Sequence, residues 1–484
     1  MAAPVLMVQG SSSSAGKSLL VTALCRLFAR RGVHVTPFKA QNMSNNAAVC
    51  ADGAEIGRSQ AVQALAAGVT PSAAINPILL KPEGEARSQV LVMGRPWRRL
   101  SAGGYYRYKP ELWPRVTAAL DHLRTVYDLV LIEGAGSPAE LNLRSGDIVN
   151  MAVARYAQAP VLLVGDIDRG GIFAQLLGTV WLLAPEERAL VRGLVVNKFR
   201  GDLTLFADGV RILEERSTLP VLGVVPFIPD LAIPEEDSAS LDALSRSPPR
   251  DEIDIAVIRF PRIANFDDFA PLEAEAGVGV RYVGSCSALG APQAIILPGT
   301  KSTIADLQWL RQQGLDGAIR ALMAQGTAVV GICGGYQMLG RTIRDPEHVE
   351  ATMGRLDGLG LLPIDTIFEP VKATHQVEAR LLSGPGWLTS LAGESIRGYE
   401  IHMGSSTSDQ PWLTITRRSG VAVHLADGTV DAAGRVWGCY VHGLFDNATL
   451  RRVWLTSLGW RGSAHTTPAI TGLQGALDHL ADRV

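Results

Sequence analysis

Cysteine is scarce and unpaired in this sequence. There are five, Cys25, Cys50, Cys286, Cys333 and Cys439, an odd number with no Cys-x-x-Cys spacing. That excludes a disulfide framework and a zinc knuckle, and fits a reducing cytoplasm. An excess of charge of either sign is also missing: 45 Lys and Arg stand against 47 Asp and Glu, a formal net charge of −2. Bulk electrostatics therefore give no reason to expect a nucleic acid or an anionic membrane as partner. No apolar run is long enough to span a bilayer. The first residues, M-A-A-P-V-L-M-V-Q-G, lack a basic leader and read as a strand, not a signal peptide. No internal repeat is evident.

What is present is a chain of 484 residues, 47% hydrophobic and 19% charged, enough for two or three globular domains. Short runs rich in Val, Leu and Ile recur at 5–8, 33–38, 129–132, 161–164, 193–196 and 221–225. They do not alternate with polar residues, the pattern of strands covered on both faces of a parallel sheet. Segments 18–31 and 56–67 between them read as helices, so a doubly wound α/β sheet is expected. Residues 235–252, polar and holding a Pro-Pro pair, read as a linker. Strand-like runs resume at 253–260, 294–297, 328–332 and 436–441. The expected organisation is a domain over 1–234, the linker over 235–252, and a second α/β domain over 253–484.

The first domain opens with strand, then G-S-S-S-S-A-G-K-S (10–18), then helix. That is the context of a phosphate-binding loop, although five residues rather than four separate Gly10 from Gly16. Glycines let backbone N–H groups face phosphate oxygens, Lys17 would bind the terminal phosphates of ATP, and the Ser18 hydroxyl would hold Mg²⁺. L-V-L-I-E-G-A-G (129–136) places Glu133 at a strand end, where a second Mg²⁺ ligand belongs. Asn197, at another strand end, suits an adenine edge or is a plain turn residue. Lys39, after a strand, either neutralises a phosphate or substrate carboxylate or is a surface lysine. Asp147 precedes a helix-like segment and has two readings, a helix cap or a residue facing substrate; the second is preferred, because loops at strand carboxyl ends line the site in such sheets.

In the second domain, T-A-V-V-G-I-C-G-G-Y-Q-M-L-G (327–340) is a strand, a cysteine among glycines, and a helix. Such an elbow holds a nucleophile in a strained turn, so Cys333 is the candidate nucleophile. Backbone N–H groups at Gly334 and at Gly299, in L-P-G-T-K-S-T (297–303), would bind an oxyanion. His442, in G-C-Y-V-H-G-L-F-D (438–446), is the candidate base, with His402 a minor alternative.

The second domain resembles the class I glutamine amidotransferases, and the first resembles the dethiobiotin synthetase type of phosphate-loop fold. F-K-A-Q-N-M-S-N-N (38–46), N-P-I-L-L-K-P (76–82), G-D-I-D-R-G-G-I-F-A (165–174), N-K-F-R-G-D (197–202) and V-H-G-L-F-D (441–446) together resemble the cobyric acid synthase family over nearly the whole chain. The resemblance implies ATP- and glutamine-dependent amidation of the b, d, e and g carboxylates of adenosylcobyrinic acid a,c-diamide. It also implies Mg²⁺, a corrinoid as the small-molecule partner, an internal passage for ammonia, and Asp166 as a substrate residue. It leaves a homo-oligomer open. Where many amidotransferases carry His-x-Glu, this chain has His442-Gly443-Leu444, as that family does, so a Cys–His dyad is expected. The related cobyrinic acid a,c-diamide synthases share both domains, and partition-type ATPases share the first. The second group would have no use for Cys333.

Overall fold

The computed structural model describes residues 2–83, 87–229, 231, 233–234, 253–462 and 472–484; the expected linker at 235–252 lies outside them. The first half is a six-stranded parallel sheet. Its order is Val221–Pro226, Val191–Phe199, Val161–Asp166, Val5–Gly10, Leu129–Glu133, Val35–Phe38. Successive residues of the central strand enter different cores, which accounts for the unbroken apolar runs. Met7 packs on one face with Leu112 and Leu120, and Val8 on the other with Leu20 and Val21. Leu129–Glu133 and Val161–Asp166 lie on opposite sides of Val5–Gly10. The crevice therefore opens at the carboxyl end of that strand, where the glycine loop leads into helix α1 (Lys17–Arg30).

The second half is another mainly parallel sheet, ordered Val278–Val283, Ile253–Ile258, Ala294–Leu297, Ala328–Ile332, Val436–Cys439, Thr429–Val430, with only the last strand antiparallel. It puts the carboxyl ends of Ala294–Leu297, Ala328–Ile332 and Val436–Cys439 side by side. These ends carry the Gly299 loop, Cys333 and His442.

Two features have no simple sequence signature. A four-stranded sheet (Gln41–Met43, Ile78–Pro82, Arg87–Val92, Arg95–Ser101) projects from the first half, and a long hairpin, Asp365–Leu381 with Ser395–Thr407, projects from the second. Ala47, Val49, Leu79 and Leu91 pack against Tyr399 and Ile401, joining the halves. Helix α2 (Arg58–Ala67) follows the short strand Glu55–Gly57 and packs on α1.

The helix Gly472–Arg483 corrects the expected boundary at 253–484. It packs on α1, with Leu477 and Leu480 in the same core as Leu20 and Val21, and Asp478 paired to Arg26 at 2.7 Å. Its apolar stripe finds uncovered surface on the nucleotide-binding half.

Candidate functional site

The strand Ala328–Ile332 ends abruptly at Cys333, whose φ of 52° and ψ of −108° lie in a region that residues with a Cβ rarely adopt. The turn is affordable because the neighbours have no side chain. A Cβ on Gly335 would lie 1.8 Å from the carbonyl oxygen of Leu297, and one on Gly334 would lie 2.8 Å from Thr300. Cys333 is buried, with Sγ 3.5 Å from the carbonyl oxygen of Ile401. Cys333, Gly334, Gly299 and His442 line one cavity. Gly299 lies so close to the imidazole that a Cβ there would sit 2.8 Å from Cε1 of His442.

His442 is not half of a dyad. Its Nδ1 lies 2.6 Å from Oδ2 of Asp268, a buried carboxylate that also accepts the Gly443 N–H at 2.9 Å through Oδ1. Burial alone would lower the imidazole pKa, but the neighbouring Asp268 and Cys333, through charge and hydrogen bonds, outweigh it and raise the value to about 10. The buried carboxylate of Asp268 thus favours the cationic ring. Asp268 occupies the short turn Phe266–Phe269, beyond the carboxyl end of Ile253–Ile258. Its sequence signal is slight: F-D-D-F, two acids inside an apolar stretch. His402 lines the same cavity, but its ring stacks on Tyr440 with centroids 4.0 Å apart, and its nitrogens face the Gly404 carbonyl and Glu400.

In the other half, Lys17 lies over the glycine loop, with Nζ donating to the carbonyls of Ser12 at 2.8 Å and Gly136 at 3.0 Å. The Ser18 hydroxyl donates to Oε1 of Glu133 at 2.8 Å. Lys39 is no surface lysine: it is buried and pairs with the same oxygen at 2.9 Å, while Gln63 on α2 donates to Oε2 at 2.5 Å. Glu133, fully buried, is therefore the hub of the crevice. Hydroxyl and carboxylate oxygens converging at a phosphate loop form a donor set suited to a hard divalent cation completed by phosphate oxygens. Among the described residues, no group of three or more His, Cys, Asp or Glu side chains could hold a metal ion by itself.

Asn197 lines an apolar cavity with Leu19, Phe227 and Leu480, and its Nδ2 donates to the Ala15 carbonyl at 2.8 Å, bracing the loop. A Cβ on Gly16 would sit 2.0 Å from that nitrogen, which fixes glycine at the loop's tightest point. Asp166 is buried and braces the loop from the same side, pairing at 2.8 Å with Lys198, whose Nζ also donates to the Ser14 carbonyl.

The preferred reading of Asp147 as facing substrate is not the arrangement found. Oδ1 accepts the backbone N–H groups of Val149 and Asn150, and Oδ2 accepts that of Ala152. Both oxygens serve the start of the helix Met151–Ala157, which would otherwise leave those donors unpaired. Replacing Asp147 with Asn puts an amide NH₂ against one of them. The expected outcome is a loss of about 1 kcal/mol in thermal stability, with the set of amidated products unchanged by mass spectrometry.

Two family models cover most of the chain. Residues 6–241 match the CobQ/CobB/MinD/ParA nucleotide binding domain, and residues 254–450 match the CobB/CobQ-like glutamine amidotransferase domain. The cobyric acid synthase of Chloroflexus aurantiacus is 57% identical across 100% of this chain and 97% of its own. The chain belongs to the cobyric acid synthase family. The cobyric acid synthase of Roseiflexus castenholzii is 56% identical across the same shares of both chains. That of Moorella thermoacetica is 50% identical across 99% of this chain and 94% of its own. Members of the cobyric acid synthase family are ATP-dependent ligases that hydrolyse glutamine, and the two halves described above carry one of those chemistries each. No helix among the described residues is long and apolar enough to cross a membrane.

Proposed function

We infer that this chain amidates the b, d, e and g carboxylates of adenosylcobyrinic acid a,c-diamide, giving adenosylcobyric acid in cobalamin biosynthesis. The observation that carries the reading is the likeness to cobyric acid synthases along the entire chain, which also favours this substrate over that of the diamide synthases.

The Cys333 thiolate attacks the side-chain amide carbon of glutamine. The developing oxyanion is met by backbone N–H groups at Gly334 and Gly299, and His442 protonates the departing nitrogen as the C–N bond breaks. Ammonia leaves and a glutamyl thioester remains, which water hydrolyses to glutamate and free thiol. Asp268 orients the imidazole and offsets its charge throughout.

In the nucleotide-binding half, a carboxylate resists amines because oxide is a poor leaving group. Transfer of the terminal phosphoryl group of ATP to a carboxylate oxygen gives an acyl phosphate; ammonia attacks its carbonyl carbon and phosphate departs. Lys17 neutralises the phosphoryl oxygens, the loop around Gly10 and Gly16 offers its N–H groups, and the apolar cavity beside Asn197 takes the base. Ser18 and Glu133 would hold Mg²⁺, which supplies further charge neutralisation at the phosphates. Lys39, within reach of Glu133, suits the incoming carboxylate, and Asp166 keeps the phosphate loop in shape. The domains are residues 1–234 with the last helix, and 253–462. The unpaired cysteines accord with a cytoplasmic enzyme.

Incubation with adenosylcobyrinic acid a,c-diamide, Mg-ATP and glutamine is expected to give a mass ladder of four amidations ending at adenosylcobyric acid. Conversion of cobyrinic acid to its a,c-diamide, with the diamide left untouched, would overturn the assignment.

A further inference from the structure

Arg58 is the first residue of α2, the helix whose Gln63 and Gln60 approach Glu133. Its guanidinium points the other way, across the junction. Nη2 donates to the Tyr399 hydroxyl at 2.9 Å and pairs with Oδ2 of Asp267. Both contacts lead to His442. Asp267 is the chain neighbour of Asp268, the imidazole's partner. Tyr399 stacks on the imidazole with centroids 5.2 Å apart and planes within 14°, exchanges backbone hydrogen bonds with His442, and directs its hydroxyl at Asp268. Two supports of the imidazole thus converge on one cation belonging to the opposite half.

This cation is one of several links between the halves. Lys372 pairs with Glu55, Lys301 pairs with Glu83 at 2.9 Å, and the Ala47 N–H donates to Asn265 at 3.1 Å, all across the same junction. The Arg58–Asp267 ion pair is not fully made. Nε of Arg58 and Oδ1 of Asp267 are both buried without a hydrogen-bond partner, so the bidentate clasp that these groups favour is only half formed.

We propose that Arg58, contributed by the nucleotide-binding half, is a positioning residue of the glutaminase site, setting Asp268 and Tyr399 so that His442 stays aligned with Cys333. The proposal rests on Cys333 being the glutaminase nucleophile.

The test is Arg58→Met in the full chain, which keeps the side chain's bulk and removes its charge. The expected result is a fall in kcat for glutamine hydrolysis of about ten- to a hundredfold, the scale of a displaced catalytic group. KM for glutamine should stay within about twofold, since binding common to ground and transition states is untouched. Amidation driven by added ammonium should be unchanged, a split that damage to the fold or to the ATP site would not give. Asp267→Asn, which leaves Arg58 in place, should show the same split and carries the test alone should Arg58→Met not fold. Unchanged glutamine kcat in the folded variants, or equal loss with both nitrogen sources, would overturn the proposal. A separate control, Cys333→Ala, isolates the underlying reading: persistence of glutamine hydrolysis there sinks the nucleophile assignment itself, whatever Arg58 does.

Discussion

Cys333→Ala is expected to lower glutamine-supported amidation by about 10⁴-fold or more, because loss of the nucleophile removes the covalent route altogether. Amidation from ammonium at mildly basic pH should stay near the wild-type rate. The substitution deletes one atom, and alanine keeps the Cβ that the strained turn already accommodates. The elbow's shape depends on Gly334 and Gly335, not on the thiol. Far-ultraviolet circular dichroism and the thermal midpoint should therefore match the wild type. Rates from the two nitrogen sources, measured by corrinoid mass under the same conditions, decide the matter. A folded variant equally dead with glutamine and ammonium would mean that one site, not two, performs both reactions.

Lys17→Ala should act on the opposite side of that division, reducing amidation from either nitrogen source by about 10²- to 10³-fold, the usual loss when a preorganised charge at a reacting oxygen is removed. The ammonium of Lys17 is held at the loop by the carbonyls of Ser12, Ser13 and Gly136, and a Cβ on Gly10 would lie only 2.9 Å from it. It is therefore positioned before any phosphate arrives. Basal glutamine hydrolysis should continue, since the Cys333 step consumes no nucleotide. Retained synthesis from ammonium would show that Lys17 does not support the transferred phosphoryl group.

The features legible in the sequence are those written in a few consecutive residues. The phosphate loop, the elbow and the buried parallel strands each combine a short apolar run with glycines at fixed offsets, and each appears where the pattern puts it. The carboxylate beside His442 is not of this kind. Asp268 lies 174 positions from His442, and the strand before it, Ile253–Ile258, is separated by two strands from Val436–Cys439 in the sheet, so the loop beyond Ile258 has to carry the carboxylate across to the imidazole. Local reading of His442-Gly443-Leu444 could yield only a dyad. Lys39 and Asp147 show the same limit at closer range. A lysine after a strand and an aspartate before a helix each have two chemistries open to them, and only the fold shows that the first is buried beside Glu133 and that the second accepts three backbone N–H groups. The four-stranded sheet was hidden for another reason. Its outer strand Arg95–Ser101, R-P-W-R-R-L-S, is an edge that faces water and carries no apolar alternation.

The last helix changes how the two halves are joined. The chain leaves the nucleotide-binding half after Val221–Pro226 and returns to it beyond Ala448–Ser457, where Gly472–Arg483 settles on α1. The glutaminase half is therefore an insert fastened at both of its ends. Two covalent connections in place of one leave the halves less freedom to gain by coming apart, so contacts at the junction, such as Lys372 with Glu55 and Lys301 with Glu83, have less entropy to offset in keeping the two together.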